Sequence, residues 1–471
     1  MTDSEQTVVD RVAARARDQF ERAVSRLGEY LAIPAISCEP EHAGDVRALA
    51  ERVAGDLREL GFDATVRQLP GALPLVHAER RSTSPAAPTL LVYGHLDLQP
   101  VRGEDWRTPP HVATRRVAAD GERLYARGAA DDMGGWVSHL AAISAWLDVA
   151  QDLPLSLKLV IEGEEEIGSP NLERYMDAFP ADFEADVMVL TDCENPAIDL
   201  PGLTTSLRGL WEVELTCEAL ESDVHSGLWG NMVPDVSLAL ARLVTRLTDA
   251  DGRPVFGLCD VPESFRQAAR AIPLGAAVIR EGAHLLPDVA PLAEAGRPAA
   301  EWLWRQPAIT VLSTTLPRPD QHKNALRRAA TATLSIRVPP GKTRADLKVE
   351  LERLLLVDPP AGVRVTLQDR PGGAESWLYE PRGSAFAAAD RAYVKAFGRP
   401  LTQIGIGGSI PFVALFGRRY SHLPLILNGV MDPNTGAHGP NESLHLGVFE
   451  KAIVASVYLY DELARVLDAA A

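Results

Sequence analysis

The sequence predicts an α/β fold: a domain built on a mainly parallel sheet, interrupted by an inserted α+β domain. Three observations predict it. Four short, near-continuous apolar runs stand between stretches of helical periodicity: Thr89-Leu90-Leu91-Val92-Tyr93, Leu155 to Ile161, Val187-Met188-Val189-Leu190 and Pro424-Leu425-Ile426-Leu427. Runs of this kind are strands buried on both faces of a parallel sheet. Between about Gly209 and Pro371 the texture changes to alternation, as in Trp211-Glu212-Val213-Glu214-Leu215-Thr216 and Ala332-Thr333-Leu334-Ser335-Ile336-Arg337. Alternation marks strands with one solvated face. The first texture resumes near Ser384. The domains drawn from this are 1–208 with 379–471, and an insert at 209–378.

Taken in order, Val8, Val12, Phe20, Ala23, Leu27 and Leu31 recur at helical spacing and predict a helix from Thr7 to about Leu31, ending before Pro34. A second helix is predicted from Asp45 to Leu60, stopped by Gly61. Inside the insert, amphipathic stretches predict helices at Val236 to Leu247 and Arg344 to Leu356. The segment around Pro85 and Pro88 reads as a loop.

The chain has 471 residues, 46% hydrophobic and 24% charged, ordinary for a soluble protein of about two or three domains. A formal net charge of −17 opposes binding to nucleic acid or an anionic membrane. Cys38, Cys193, Cys217 and Cys259 form no C-x-x-C pair, which argues against a disulfide framework or a thiolate metal site. The acidic start M-T-D-S-E-Q has no apolar signal region, and no run reaches the roughly 18 apolar residues of a spanning helix. The expectation is a soluble cytoplasmic protein.

Polar residues at the ends of the apolar runs carry the chemistry. In open α/β sheets, ligands bind at the carboxyl ends of the strands. The first run ends in Gly94-His95-Leu96-Asp97; residues two apart in an extended chain share a side, so Asp97 can hold the far nitrogen of a ligating His95. Arg127-Gly128-Ala129-Ala130-Asp131-Asp132-Met133-Gly134-Gly135 exposes paired aspartates in a glycine-rich turn, or is simply a helix cap. Glu162-Gly163-Glu164-Glu165-Glu166-Ile167-Gly168-Ser169 is an acidic run. Such runs are usually solvated surface, but this one leaves a buried strand, where like charges need a cation or a proton. Thr191-Asp192 ends a third run, and Thr435-Gly436-Ala437-His438-Gly439-Pro440-Asn441-Glu442 follows the fourth. Together His95, Asp131, Glu166, Asp192 and His438 form a nitrogen-and-oxygen donor set without thiolate. That set suits zinc, with manganese or cobalt as substitutes. A carboxylate bridging two ions about 3.5 Å apart recurs in hydrolytic sites.

With these motifs in view, the chain resembles the zinc exopeptidase family that contains carnosinases, bacterial and cytosolic dipeptidases, aminoacylases and acetylornithine deacetylase. The resemblance covers nearly the whole chain, and Leu91-Val92-Tyr93-Gly94-His95-Leu96-Asp97-Leu98-Gln99-Pro100 is similar to the dipeptidase branch. It implies two zinc ions per subunit, His95 and Asp192 on one, Glu166 and His438 on the other, with Asp131 bridging. It implies Asp97 orienting His95, and Glu165 as general base for a water activated by the two ions. His225, in Ser222-Asp223-Val224-His225-Ser226-Gly227, would reach the substrate carbonyl across a homodimer formed through the insert, which acts as lid and dimerisation domain. Arg337 would grip the substrate carboxylate, and Asn324 and Ser409 would contact substrate. Without the resemblance, His225 reads as a loop histidine and Arg337 as a solvated strand residue. His42, His77, His111, His139, His284, His322, His422 and His445 keep structural readings.

Three residues depart from the family pattern: Met133 where lysine is common, Ile406 in place of glutamate before Gly407-Gly408-Ser409, and Arg327 in place of a proline. The function implied is a metallo-dipeptidase for short peptides with a free C-terminal carboxylate. Two rivals remain: an N-acyl or N-carbamoyl amino-acid amidohydrolase with the same metal site, and a catalytically inactive binding homologue.

Overall fold

The computed structural model describes residues 7–292, 296–317, 319–408 and 411–468. Contacts divide the chain into two compact units, one of Met1–Thr204, Glu380–Ile404 and Leu415–Ala471, the other of Thr205–Tyr379 and Gly405–Ala414. The segment Gly405–Ala414 was expected with the outer domain. It joins the second unit because a Cβ on Gly405 would lie 2.5 Å from Ser206 Oγ and 2.6 Å from Trp304 Cβ, and because Arg208 Nε donates to the Gly407 carbonyl at 2.8 Å.

The first unit is built on a six-stranded sheet. Its strands are β1 (Asp63–Arg67), β2 (Leu75–Arg80), β3 (Thr89–His95), β4 (Ser156–Glu162), β5 (Val187–Leu190) and β6 (Leu425–Leu427), in the order β1-β2-β4-β3-β5-β6. β4, β3, β5 and β6 run parallel, while β2 and β1 are antiparallel to their neighbours. All four predicted apolar runs are therefore adjacent parallel strands, and their carboxyl ends share one edge. Leu90, Leu91, Val92 and Tyr93 are wholly buried; each such side chain contributes about 1.5–3 kcal/mol relative to exposure. That burial makes the register of β3 expensive to shift, which fixes where His95 emerges.

The single helix expected from Thr7 to Leu31 is two, Val8–Asp18 and Phe20–Leu31. Gln19 breaks the run (φ −95°, ψ 7°), and its side chain joins Arg15 on the Asp148 carboxylate. The break lets Val9, Val12 and Ala16 in one helix and Ala23, Leu27 and Leu31 in the other all stay buried. The second predicted helix spans Ala43–Glu59, and Gly61 follows it in the left-handed region (φ 79°).

The second unit carries a four-stranded antiparallel sheet in the order Ala308–Thr314, Ala329–Val338, Gly209–Glu218, Arg364–Asp369. One face buries Trp211, Val213, Leu215, Leu334 and Ile336 against Val236, Leu240 and Leu243 of the helix Val236–Thr245 and Leu347, Leu351 and Leu355 of the helix Arg344–Leu356. The alternation seen in the sequence is this one-sided burial. Thr343 and Asp346 form a capping box at the start of the second helix. Among the described residues, no helix is long and apolar enough to cross a membrane.

Candidate metal and catalytic site

The carboxyl edge of β3, β4 and β5 brings the five expected donors together within the first unit. His95, Asp131 and Asp192 offer donor atoms that all lie within 4.8 Å of one another, and so do Asp131, Glu166 and His438. Asp131 belongs to both groups. Its Oδ1 is 3.3 Å from His95 Nε2, and its Oδ2 is 3.0 Å from His438 Nε2. His95 Nε2 also lies 3.9 Å from Asp192 Oδ2, and His438 Nε2 lies 3.3 Å from Glu166 Oε2.

Local sequence explains how each donor is placed. Gly94 precedes His95 because a Cβ there would stand 2.5 Å from Asp132 Oδ2 and 2.8 Å from Thr191 Oγ1. The His95 backbone is held by Trp136 Nε1, which donates to its carbonyl at 2.8 Å. His95 Nδ1 meets the Asp97 carbonyl at 3.2 Å and its carboxylate at 3.5 Å, which turns Nε2 toward Asp131 and Asp192. The Asp97 carboxylate accepts at the same time from the Glu165 and Glu166 amides, at 3.1 and 3.0 Å. One aspartate thus fixes both the histidine and the acidic turn. Glu166 is steadied by Gln99 Nε2, which donates to its Oε2 at 2.7 Å. Among the described residues, the Glu165 carboxylate has no hydrogen-bond partner.

Asp132 does not cap the helix Met133–Ala150 with its side chain. It is wholly buried and accepts from Thr191 Oγ1 at 2.6 Å and from the His95 amide at 3.3 Å. Met133 is wholly buried at the first turn of that helix, so its departure from lysine is a packing matter.

His438 has a left-handed backbone (φ 62°) and an exposed residue surface, yet the loop around it is clamped. Arg123 is buried and binds Asp432 at 2.7 Å, Asp120 at 2.6 Å and Ser443 Oγ at 2.9 Å. Arg127, also buried, binds Glu442 at 3.0 Å and Glu104 at 2.9 Å. Glu442 is 1% exposed. Its Oε2 accepts from the Gly128 amide at 3.1 Å, and its Oε1 from the Ala130 and Asp131 amides, both at 3.2 Å. Glu442 therefore joins the His438 loop to the turn that carries Asp131. Only its place in the eight-residue motif hinted at that work. Replacing Glu442 with alanine strands three amides and removes one of the two carboxylates that meet the buried Arg127 guanidinium, and is expected to cost about 3–5 kcal/mol of stability. Denaturant unfolding of chelator-treated protein checks this.

The electrostatics describe a site that wants cations. Burial, followed by the nearby Asp131 charge, pushes Asp192 well above the usual carboxylate range. Burial likewise raises Glu165, with the Glu166, Asp97 and Asp131 charges adding to it, although His95 opposes the rise. Burial also disfavours the charge on Asp131, yet the bonds from His438 and His95 outweigh it and hold this carboxyl low. The same bonds to Asp131 and Glu166 push His438 up to about 11. Protons on the two histidines thus serve as the positive partners of a buried acidic cluster. Divalent ions would replace those protons, with imidazole and carboxylate donors of the kind zinc, manganese and cobalt accept. The residues present fit such ions.

The remaining expected residues lie in the second unit. His225 and Asn324 are neighbours: His225 pairs with Ala325, and the Ser226 amide donates to the Asn324 carbonyl at 3.1 Å. The His225 Nδ1 accepts from the Gly227 amide at 3.1 Å. Arg337 sits on the half-exposed face of Ala329–Val338 and has no partner for its guanidinium among the described residues. Arg327 binds Asp223 at 3.1 Å and the Gln321 carbonyl at 2.9 Å. It anchors the turn before His225, which accounts for its departure from proline. Ser409 lies outside the described residues.

The chain has counterparts among known proteins. Residues 91–465 match the family described as Peptidase family M20/M25/M40. The chain is 31% identical over 438 residues to the cysteinylglycine-S-conjugate dipeptidase of Corynebacterium striatum, covering 92% of this chain and 94% of that one. It is 27% identical over 454 residues to the Beta-Ala-His dipeptidase of Homo sapiens, covering 91% and 87%. A crystal structure of human carnosine dipeptidase 1 has the same fold, with a TM-score of 0.75 at 23% identity over 98% of this chain and 99% of that one. By the extent of the family match and the full-length relative, this chain is a hydrolase belonging to Peptidase family M20/M25/M40.

Proposed function

We propose that this chain is a metallodipeptidase that cleaves the amide bond of short peptides bearing a free C-terminal carboxylate. The observation that carries the reading is the sharing of Asp131 between two donor groups. It supports a pair of ions, zinc by donor chemistry, with His95 and Asp192 holding one, Glu166 and His438 the other, and Asp131 both. When bound, such ions polarise the scissile carbonyl and lower the pKa of water toward about 7.

The protein's own groups supply the rest. Asp97 holds the turn so that Glu166 lies with His438 and Asp131 in a group that would hold an ion, while the Glu165 carboxylate has no hydrogen-bond partner among the described residues. Burial raises the Glu165 carboxyl well above its ordinary value, which makes its carboxylate a stronger proton acceptor. Glu165 takes the proton of the attacking water and delivers it to the departing amine. His225 accepts on Nδ1, so its neutral ring carries hydrogen on Nε2, ready to donate to a developing oxyanion. Arg337, whose guanidinium has no partner among the described residues, receives the substrate carboxylate, and Asn324 and Ser409 contact substrate.

His225 acts from a second copy of the chain in this reading. Leu228 (74% exposed) and Met232 (75%) stand beside it, and Ala308–Thr314 is an edge strand exposing Val311 and Leu312. An apolar, unpaired edge is a surface for self-association. His225→Ala should lower turnover without loss of metal. Mixing it with Glu165→Gln should restore activity, because each mixed dimer holds one complete site. Metal loss, or no complementation, would remove His225 from this role. Thiols without disulfide partners suit a cytoplasmic enzyme.

The reading is tested by assaying a dipeptide panel against N-acetyl and N-carbamoyl amino acids, with metal analysis of the same preparation. Dipeptide turnover is expected. Turnover of the acylated amino acids alone would make the chain an amidohydrolase of the second kind, and bound metal with no turnover would make it a binding homologue.

A further inference from the structure

Arg208 is a buried cation that meets no counter-charge among the described residues. It lies between the strands Gly202–Leu207 and Gly209–Glu218 and is 8% exposed. Its Nε donates to the Gly407 carbonyl at 2.8 Å and its Nη1 to the Gln306 carbonyl at 3.3 Å. Neither partner is charged. The other buried arginines of the described residues, Arg123, Arg127 and Arg253, each meet a carboxylate. Burying a guanidinium is costly unless an anion compensates it, so Arg208 is the exception that needs an explanation.

Its neighbour on the sheet is another cation that has no partner among the described residues. Arg337 pairs in register with Leu210, and Arg208 stands two residues before Leu210 in the chain. Diagonal neighbours of this kind lie within reach of each other through long side chains. Burial, and then the charge on Arg337, lowers the Arg208 guanidinium to about 10. The contact with Gly407 is close: a Cβ there would stand 3.0 Å from Arg208 Nη2. The stretch Gly405-Ile406-Gly407-Gly408 carries no charged side chain and meets Arg208 through backbone carbonyls, Gly407 on its guanidinium and Ile406 on its amide.

We propose that Arg208 and Arg337 together form a two-guanidinium subsite for the substrate's C-terminal carboxylate. Arg208 is the fixed member, its fork aligned by two carbonyls; Arg337 is the unbonded member. A carboxylate has lone pairs enough for both, and it supplies the charge that the protein withholds. The inference rests on the proposed preference for a free carboxylate and extends it to a residue not previously placed in the site.

The test compares Ala-Ala with Ala-Ala amide in wild type, Arg208→Met and Arg208→Lys. For the free acid, Arg208→Met should raise KM about tenfold or more, the size expected for losing a bond to a charged group. The kcat should stay near wild type, the amide should be unaffected, and Arg208→Lys should recover part of the loss. Calorimetric binding of the same two ligands to Glu165→Gln protein, with and without Arg208→Met, reads the preference without turnover. Equal losses on acid and amide, or no change in either, would overturn the proposal and leave Arg208 a prop for Gly407 and Gln306. Wild-type protein that turns over neither compound would sink the dipeptidase reading, and the calorimetry would still decide for or against Arg208.

Discussion

Asp131→Ala is expected to release both metal ions and to abolish turnover, by about four decades or more, since removal of central catalytic groups costs up to about six. The expectation follows from position. Asp131 presents one oxygen to His95 and the other to His438, so no other single side chain belongs to both donor groups. Asp192→Ala and His438→Ala should each weaken one ion first. A metal-to-protein ratio measured after gel filtration separates the three: near zero for Asp131→Ala, intermediate for the other two. If Asp131→Ala kept a full complement of metal, the shared carboxylate would have no bridging role.

Glu165→Gln should do the opposite, leaving both ions in place and cutting kcat by about three decades. Glutamine fills the same space, and the amide of residue 165 still donates to Asp97. What is lost is a carboxylate that has no hydrogen bond among the described residues and is raised by burial among other acids. Glu166→Gln is the contrast, because Glu166 is already engaged by Gln99 and His438; that change should cost metal. Single-turnover kinetics with metal analysis checks both. Near-wild-type rates in Glu165→Gln would take the proton transfer away from this residue.

Much of this was legible in the sequence, for identifiable reasons. Four apolar runs became four adjacent parallel strands because a strand buried on both faces has to be largely apolar; Lys158, inside one of them, needs the Ala181 and Glu184 carbonyls to hold its ammonium, and the acidic and histidine side chains gather where the strands leave the sheet. That placed His95, Glu166 and Asp192 at one edge before any coordinates. The alternation in the insert was equally direct, since one face of that sheet is packed by two helices. The features that escaped depend on contacts distant along the chain. Asp132 reads locally as a helix cap, yet its carboxylate serves Thr191 and the His95 amide. Glu442 lies more than three hundred residues from the turn it holds. Gln19 breaks a helix whose periodicity continues through it, because Asp148 draws its side chain. Gly405–Ala414 follows chain texture into the first unit but packs in the second, where Ser206 and Trp304 leave room only for glycine. Arg208 carries no local signal at all; its meaning comes from two carbonyls that hold it with no carboxylate beside it among the described residues.

The most direct test is diffraction from zinc-loaded crystals on either side of the zinc absorption edge. Two neighbouring anomalous peaks are predicted, one against His95 and Asp192, the other against Glu166 and His438, with Asp131 touching both. A single peak, or peaks that leave Asp131 untouched, would contradict the account.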